Sequence, residues 1–163
     1  MAEDEPQALG LLLVDHGSRR EAANAHLSCV GDLVAALAGD AIAVVVAHME
    51  LADPNIAEGV RQLVVERGVQ RIRVVPYFLS PGRHATEDVP RLVAEAVAPY
   101  PEVEAVVAPP LGLHEGLAAT VLDRAGLKRG TRAAAATGAS VDVGGCTGDP
   151  ASCTAPFCRR RSG

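Results

Sequence analysis

The stretch LGLLLVDHGSRR, residues 9–20, decides the fold of this chain. Its mostly apolar first part ends at Asp15, and a histidine, a glycine, a serine and two arginines follow at once. A continuous apolar run of this length is typical of a strand covered on both faces, as in a parallel sheet. A buried strand that ends in such a polar turn indicates a functional edge of the sheet.

The alternation of strands and helices continues along the chain. Further strands are predicted at 41–47, within 71–79 and at 103–109, and helices at 20–38, 54–67, 86–98 and 113–126. In the second helix Asp53 is the predicted N-cap and Pro54 the first helical residue. The order predicts an α/β fold: a four-stranded parallel sheet with right-handed crossovers and helices on both faces.

Length and composition predict one domain with an irregular end. The 163 residues suit a single core. We predict a disordered N-terminus over 1–9, a folded domain over 10–126 and a flexible tail over 127–163. The tail is rich in Gly, Ala, Ser and Thr, has no periodicity and carries three cysteines near its end.

Charge and hydropathy exclude several classes of function. A net charge of −5 argues against a nucleic-acid partner. No apolar run approaches the ~20 residues needed to span a bilayer, so no membrane association is expected. The short acidic start, MAEDEPQALG, predicts neither a signal peptide nor a transit peptide, unless a targeting segment is missing from this sequence.

Histidines cluster at one predicted edge of the sheet. Ligands of open parallel sheets bind beyond the carboxyl ends of the strands. Four of the five histidines follow a strand there: His16, His48, His84 and His114. His26 lies inside the first helix and is predicted to be a surface residue. The clustering favours a functional site at this edge.

His16, His84 and Glu50 form the candidate metal-binding set. Two imidazoles and a carboxylate suit a divalent ion such as Fe²⁺, Co²⁺, Ni²⁺ or Zn²⁺. His48 competes with Glu50 for this role, but it lies nearer the strand and a structural hydrogen bond is expected of it. Asp15 directly before His16 would repel phosphate, which argues against a histidine phosphatase, and no P-loop motif is present.

Four motifs together resemble a known family. VDHGSRR, AHMELADPNI, VVPYFLSPGRH and APPLGLH are similar to sequences of the small class II chelatases. The resemblance covers about residues 11–122. It is stronger to the sirohydrochlorin ferrochelatases of plants and algae than to the related CbiX-type cobaltochelatases.

The resemblance implies an enzyme that inserts Fe²⁺ into sirohydrochlorin to form siroheme without ATP. It implies a homodimer, located in the chloroplast stroma for an alga or plant and in the cytoplasm for a bacterium. His16 would be a metal ligand and proton acceptor, His84 the second ligand, and Glu50 a further catalytic residue that contacts the macrocycle. The remaining substrate contacts would come from one loop: Leu79, Ser80, Pro81, Gly82, Arg83 and His84. A polycarboxylate substrate would explain arginines at the edge of an acidic protein.

The cysteines of the tail resemble a plant feature associated with an iron–sulfur cluster. Cys146, Cys153 and Cys158 are the candidate ligands, one thiolate short of the usual four. Cys29, a second subunit or another ligand would have to complete the set. Cys29 is predicted to be a small buried residue on the apolar side of its helix.

Two alternatives remain open. The same residues would serve a sirohydrochlorin cobaltochelatase of cobalamin synthesis, because this ligand set does not select iron over cobalt. They would also serve a non-enzymatic carrier of metal or tetrapyrrole. Catalytic insertion of metal into the macrocycle would distinguish either enzyme from the carrier.

Overall fold

The computed structural model describes residues 8–128, and a four-stranded parallel sheet forms its centre. The strands are β1 (Leu9–Asp15), β2 (Ile42–His48), β3 (Arg71–Pro76) and β4 (Glu104–Val107), in the order β2-β1-β3-β4. β1 is therefore a central strand with a parallel neighbour on each side. It begins at Leu9, inside the N-terminal stretch predicted to be disordered.

Helices follow each strand, as the alternation predicts. They are α1 (Glu21–Ala38), α2 (Ile56–Arg61), α3 (Val89–Val97) and α4 (Glu115–Arg124). A π-helical turn (Gln62–Glu66) continues α2, and another (His84–Asp88) leads into α3. No helix within residues 8–128 is long and apolar enough to cross a membrane.

The chain divides into two compact units. The sheet and α1 to α3 belong to the first unit, which ends at Pro110. α4 belongs to the second unit, which begins at Leu111. The domain predicted over residues 10–126 extends across this boundary and stays a prediction.

Helices cover both faces of β2, which confirms the predicted layering. Gly31 of α1 lies against Val46, and Gly59 of α2 lies against Ala47, the next residue along the strand. Since successive side chains of a strand point to opposite faces, α1 and α2 pack on opposite sides of the sheet. The buried core lies on the α2 and α3 side and contains Leu12, Val14, Ala47, Ile56, Val60, Leu63, Val69, Ile72, Val74, Val89, Val93 and Ala96.

Gly59 has a packing reason that its sequence context does not reveal. A Cβ at this position would lie 2.7 Å from Leu12 Cδ1 and 3.1 Å from Ala47 Cβ. The helix backbone therefore rests directly on the sheet. This close approach explains a glycine inside a helix, where it costs about 1 kcal/mol relative to alanine.

The predicted start of the second helix is wrong by two residues. Asn55, not Asp53, is the N-cap, and its side-chain oxygen accepts a hydrogen bond from the Glu58 N–H at 3.0 Å. Pro54 precedes the helix, and its carbonyl accepts a hydrogen bond from the His48 N–H at 2.8 Å. Both asparagine and aspartate make good N-caps, so local sequence could not choose between them.

The outer side of α1 corrects one expectation and supports another. Cys29 is exposed and not buried, because the helix turns it away from the sheet. His26 is exposed, as predicted for a surface histidine. Leu27 is buried, whereas Leu37 near the end of the helix is 81% exposed.

Candidate functional site

The carboxyl ends of β1 and β2 are joined by a buried polar pair. Asp15 and His48 are register partners, and Asp15 Oδ1 lies 2.6 Å from His48 Nδ1. His48 is only 2% exposed, so this hydrogen bond satisfies a ring nitrogen that water cannot reach. Asp15 Oδ1 also accepts the Gly17 N–H at 2.9 Å. The structural hydrogen bond predicted for His48 is confirmed.

Gly17 brings the loop after β1 against the loop after β2. Its φ is +83°, and a Cβ there would lie 1.9 Å from the Glu50 carbonyl oxygen. Only glycine permits both this dihedral angle and this approach. The Glu50 N–H donates to the His16 carbonyl at 3.1 Å, so the backbone places these two candidate residues side by side.

His16 and Glu50 form an ion pair at this edge. His16 Nε2 lies 2.9 Å from Glu50 Oε1, and His16 Nδ1 lies 3.2 Å from the Gly17 carbonyl oxygen. Both ring nitrogens thus face oxygen atoms that can accept hydrogen bonds. The side chains are 39% and 52% exposed, so solvent can exchange protons with the pair.

His84 joins the pair from the loop after β3. Its ring lies 5.2 Å from that of His16, centroid to centroid, at an interplanar angle of 74°. On its other side, His84 Nδ1 lies 2.9 Å from Asp88 Oδ2. The structure therefore brings together His16, His84 and Glu50, the three side chains singled out from the sequence.

The rest of the loop over residues 79–84 is open to solvent. Leu79 is 70% exposed, and Ser80, Pro81 and Gly82 are also exposed. Within the described chain no atom lies within 4 Å of the position that a Cβ on Gly82 would take, so a ligand can approach the backbone there. The Arg83 side chain is 76% exposed and stands 3.9 Å from the carboxylate oxygens of two nearby acidic residues. It is therefore free to turn toward an anionic ligand.

Two residues of the site were missed by the sequence analysis. Asp88, which contacts His84, lies at an i,i+4 spacing that places side chains on one helical face, but this spacing alone does not distinguish it from an ordinary surface pair. Leu51 follows Glu50 directly, is 51% exposed and adopts a φ of +66°. A non-glycine residue in this region indicates local strain of the kind found at functional sites. Nothing in the motif containing Leu51 predicts it.

Several other candidate residues lie elsewhere or outside the described chain. His114 belongs to the second unit, where its Nδ1 accepts the Gly116 N–H at 3.0 Å and caps α4. No group of three or more His, Cys, Asp or Glu side chains is arranged to hold a metal ion between residues 8 and 128. The predicted cluster ligands lie outside the described residues: Cys146, Cys153 and Cys158.

Comparison with known proteins yields one family. The CbiX family model matches residues 10–126. The chain is 40% identical over 115 residues to the chloroplastic sirohydrochlorin ferrochelatase of Arabidopsis thaliana, covering 71% of this chain and 50% of that protein. It is 35% identical over 85 residues to the sirohydrochlorin cobaltochelatase of Methanopyrus kandleri, covering 52% of this chain and 58% of that one.

A solved structure supports the fold. The sirohydrochlorin chelatase SirB of Bacillus subtilis subspecies spizizenii, in complex with cobalt, superposes with a TM-score of 0.66. Sequence identity is 28%, over 74% of this chain and 50% of SirB. The chain thus spans about half the length of these relatives.

Proposed function

This chain belongs to the CbiX family, and on that premise we propose that it is a chelatase that inserts Fe²⁺ into sirohydrochlorin to form siroheme, without ATP. The observation that carries the proposal is the meeting of His16, His84 and Glu50 at one sheet edge. Two rings in edge contact, with a carboxylate 2.9 Å from one of them, combine metal ligands with a proton acceptor.

The reaction must move protons as well as metal. When a divalent ion enters the macrocycle, two pyrrole N–H bonds break, and two protons must leave as the metal–nitrogen bonds form. A neutral imidazole can bind the ion or accept a proton. His84, with its Nδ1 facing Asp88, can offer Nε2 to the incoming ion. When its contact with Glu50 opens, a neutral His16 can accept one pyrrole proton at Nε2, and the Glu50 carboxylate can accept the other. Both side chains are exposed, so each can release its proton to solvent.

The exposed loop over residues 79–84 suits a large, flat and anionic substrate. Leu79 offers apolar surface, while Ser80, Pro81 and Gly82 leave the backbone open. Arg83 can pair with a substrate carboxylate, since its guanidinium has no close hydrogen-bond partner among the described carboxylates. We assign these residues, with Glu50 and His84, to substrate binding.

Cobalt is the alternative metal. The Arabidopsis relative, named a ferrochelatase, favours iron. The Methanopyrus relative is named a cobaltochelatase, and SirB was solved with cobalt, so cobalamin synthesis is the second candidate. Imidazole and carboxylate ligands accept either ion.

Assembly, location and the cluster are further parts of this proposal. The resemblance to the class II chelatases implies a homodimer, which we include in the proposal. The chloroplastic relative suggests a stromal location, and a cytoplasmic one applies to a bacterial source. The three tail cysteines would hold an iron–sulfur cluster, which iron and sulfide analysis of anaerobically purified protein would test.

Anaerobic mixing of the full chain with sirohydrochlorin and either Fe²⁺ or Co²⁺ tests the function. We expect rapid insertion of Fe²⁺, monitored through the absorption of the macrocycle. In His16→Ala the insertion rate should fall by about 100-fold or more. His84→Ala should also fail, whereas His26→Ala, which removes an exposed histidine of α1, should match the wild type. Binding without insertion of either ion would leave a carrier, and faster Co²⁺ insertion would favour the cobaltochelatase.

A further inference from the structure

We propose that Asp88 is a positioning residue for His84, which holds the ring in one tautomer and leaves its Nε2 lone pair free to bind the metal. This inference rests on the proposed function, because that function makes His84 a metal ligand. It adds a residue outside the motif that ends at His84.

The contact between the two side chains is short and local. His84 Nδ1 and Asp88 Oδ2 are 2.9 Å apart, and both residues belong to the π-helical turn before α3. Asp88 is 19% exposed, whereas His84 is 54% exposed. A largely buried carboxylate therefore anchors a ring that otherwise projects into solvent.

The other groups near Asp88 do not explain its placement. Arg83 Nε lies 3.9 Å from Oδ2 and Arg91 Nη2 lies 4.0 Å from Oδ1, both beyond hydrogen-bonding distance. The Asp88 side chain makes no capping hydrogen bond to the backbone at the start of α3. The short hydrogen bond to His84 is thus the contact that its position serves.

The chemistry of imidazole explains what this hydrogen bond accomplishes. A neutral ring carries one N–H and one lone pair, and a carboxylate beside Nδ1 accepts the N–H from that nitrogen. The lone pair is then on Nε2. A carboxylate behind a ligating histidine also fixes the orientation of the ring and raises its basicity.

His84 and His16 are consequently prepared for different tasks. The His84 Nδ1 meets a carboxylate, and the lone pair of its other nitrogen remains for a metal ion. Both nitrogens of His16 face oxygen acceptors, the Gly17 carbonyl and the Glu50 carboxylate. The geometry assigns metal binding chiefly to His84 and proton transfer chiefly to His16.

The test measures tautomer and metal binding separately in the full chain. Nitrogen-15 NMR of histidine-labelled protein, with the His84 signals identified from His84→Ala, reports which ring nitrogen carries the proton. We expect an Nδ1–H tautomer in the wild type and a mixture in Asp88→Ala. Titration with Co²⁺ alone, followed by its visible absorption, should show affinity weakened by about 10–100-fold in Asp88→Ala.

Matched variants separate positioning from a general structural effect. Asp88→Glu keeps a carboxylate and should recover part of the Co²⁺ affinity. Glu95→Ala removes a nearby carboxylate, which accepts a hydrogen bond from Arg91 at 2.9 Å, and should change neither measurement. If Asp88→Ala does not fold, Asp88→Leu, which is similar in size and cannot accept a hydrogen bond, takes its place.

The outcomes distinguish the inference from the function on which it rests. An unchanged His84 tautomer with unchanged Co²⁺ affinity in a folded Asp88 variant would overturn the positioning role, even if the wild type inserts metal. Conversely, a wild type with the expected tautomer that neither binds Co²⁺ nor inserts metal would refute the proposed function. It would also overturn the metal-binding part of the inference.

Discussion

Replacing Gly17 by alanine adds a steric clash with Glu50 and backbone strain at the same position, and a control substitution separates the two effects. The added Cβ would lie 1.9 Å from the Glu50 carbonyl oxygen, about 1.5 Å short of the 3.4 Å at which ordinary contact begins. The φ of +83° adds the strain that an L-residue meets in the left-handed region. To relieve the clash, the two loops must move apart, and the Glu50 carboxylate then leaves His16 Nε2.

The expected cost can be assembled from these two effects. The left-handed conformation costs about 1 kcal/mol for alanine. Overpacking of a tight site costs about 1–3 kcal/mol more. We therefore expect Gly17→Ala to lower the free energy of unfolding by about 2–4 kcal/mol. Metal insertion should fall in parallel, because the pair that accepts the proton is pulled apart.

Gly68→Ala is the matched control. Gly68 has a φ of +65°, but no atom of the described chain lies within 4 Å of the position that its Cβ would take. Its substitution should cost only the conformational share, about 1 kcal/mol, and leave insertion intact. Urea unfolding gives the stabilities, and the anaerobic insertion assay gives the rates. Equal destabilisation by the two substitutions, with activity retained in Gly17→Ala, would refute the role assigned to the contact.

Three further predictions concern stability, each measured by urea unfolding. Asp15→Ala removes the acceptor of buried His48 Nδ1 and should lower the free energy of unfolding by roughly 2–3 kcal/mol. A loss no larger than that of an ordinary surface substitution would contradict the pairing. Gly59→Ala should destabilise the protein by about 1 kcal/mol, because a clash at 2.7 Å with Leu12 outweighs the gain in helix propensity. A more stable variant would show that the sheet side chains move to make room for the methyl group. Hydrogen bonds from Arg61 lower the pKa of Glu58 from 4.5 to about 2. The stabilisation that they provide is therefore present above pH 4.5 and is lost as pH falls toward 2. The stability of Glu58→Gln should lack this part of the sensitivity to acid. An unchanged pH profile in that variant would count against the pair.

Much of the fold follows from local pattern. The apolar run at residues 9–15 predicts β1 with the observed bounds, Leu9–Asp15, because a strand covered on both faces needs no polar alternation. The helix predicted over 86–98 covers α3, and Pro90 is tolerated there because it lies in the first turn of α3. The N-cap of α2 was not predictable in the same way, since Asp53 and Asn55 are both suitable and the surrounding structure selects Asn55.

The candidate site was likewise predictable from the sequence only in part. His16, His84 and Glu50 could be grouped from the sequence because parallel strands end at a common edge, and the structure brings their side chains together. Asp88 could not be assigned to the group, because many i,i+4 pairs are ordinary surface contacts and only its hydrogen bond and burial distinguish it.

The sequence by itself determined the order of the elements, the parallel sheet and the edge at which His16 and His84 meet. These features depend on periodicity and on short-range turn chemistry, which each segment carries alone. Only the tertiary structure decided that Asp15 bonds His48, that Gly17 touches Glu50 and that Gly59 rests on the sheet. The first of these contacts joins residues 33 positions apart. Such contacts depend on how closely folding brings two backbone segments together, and the residues of one segment alone do not determine that distance.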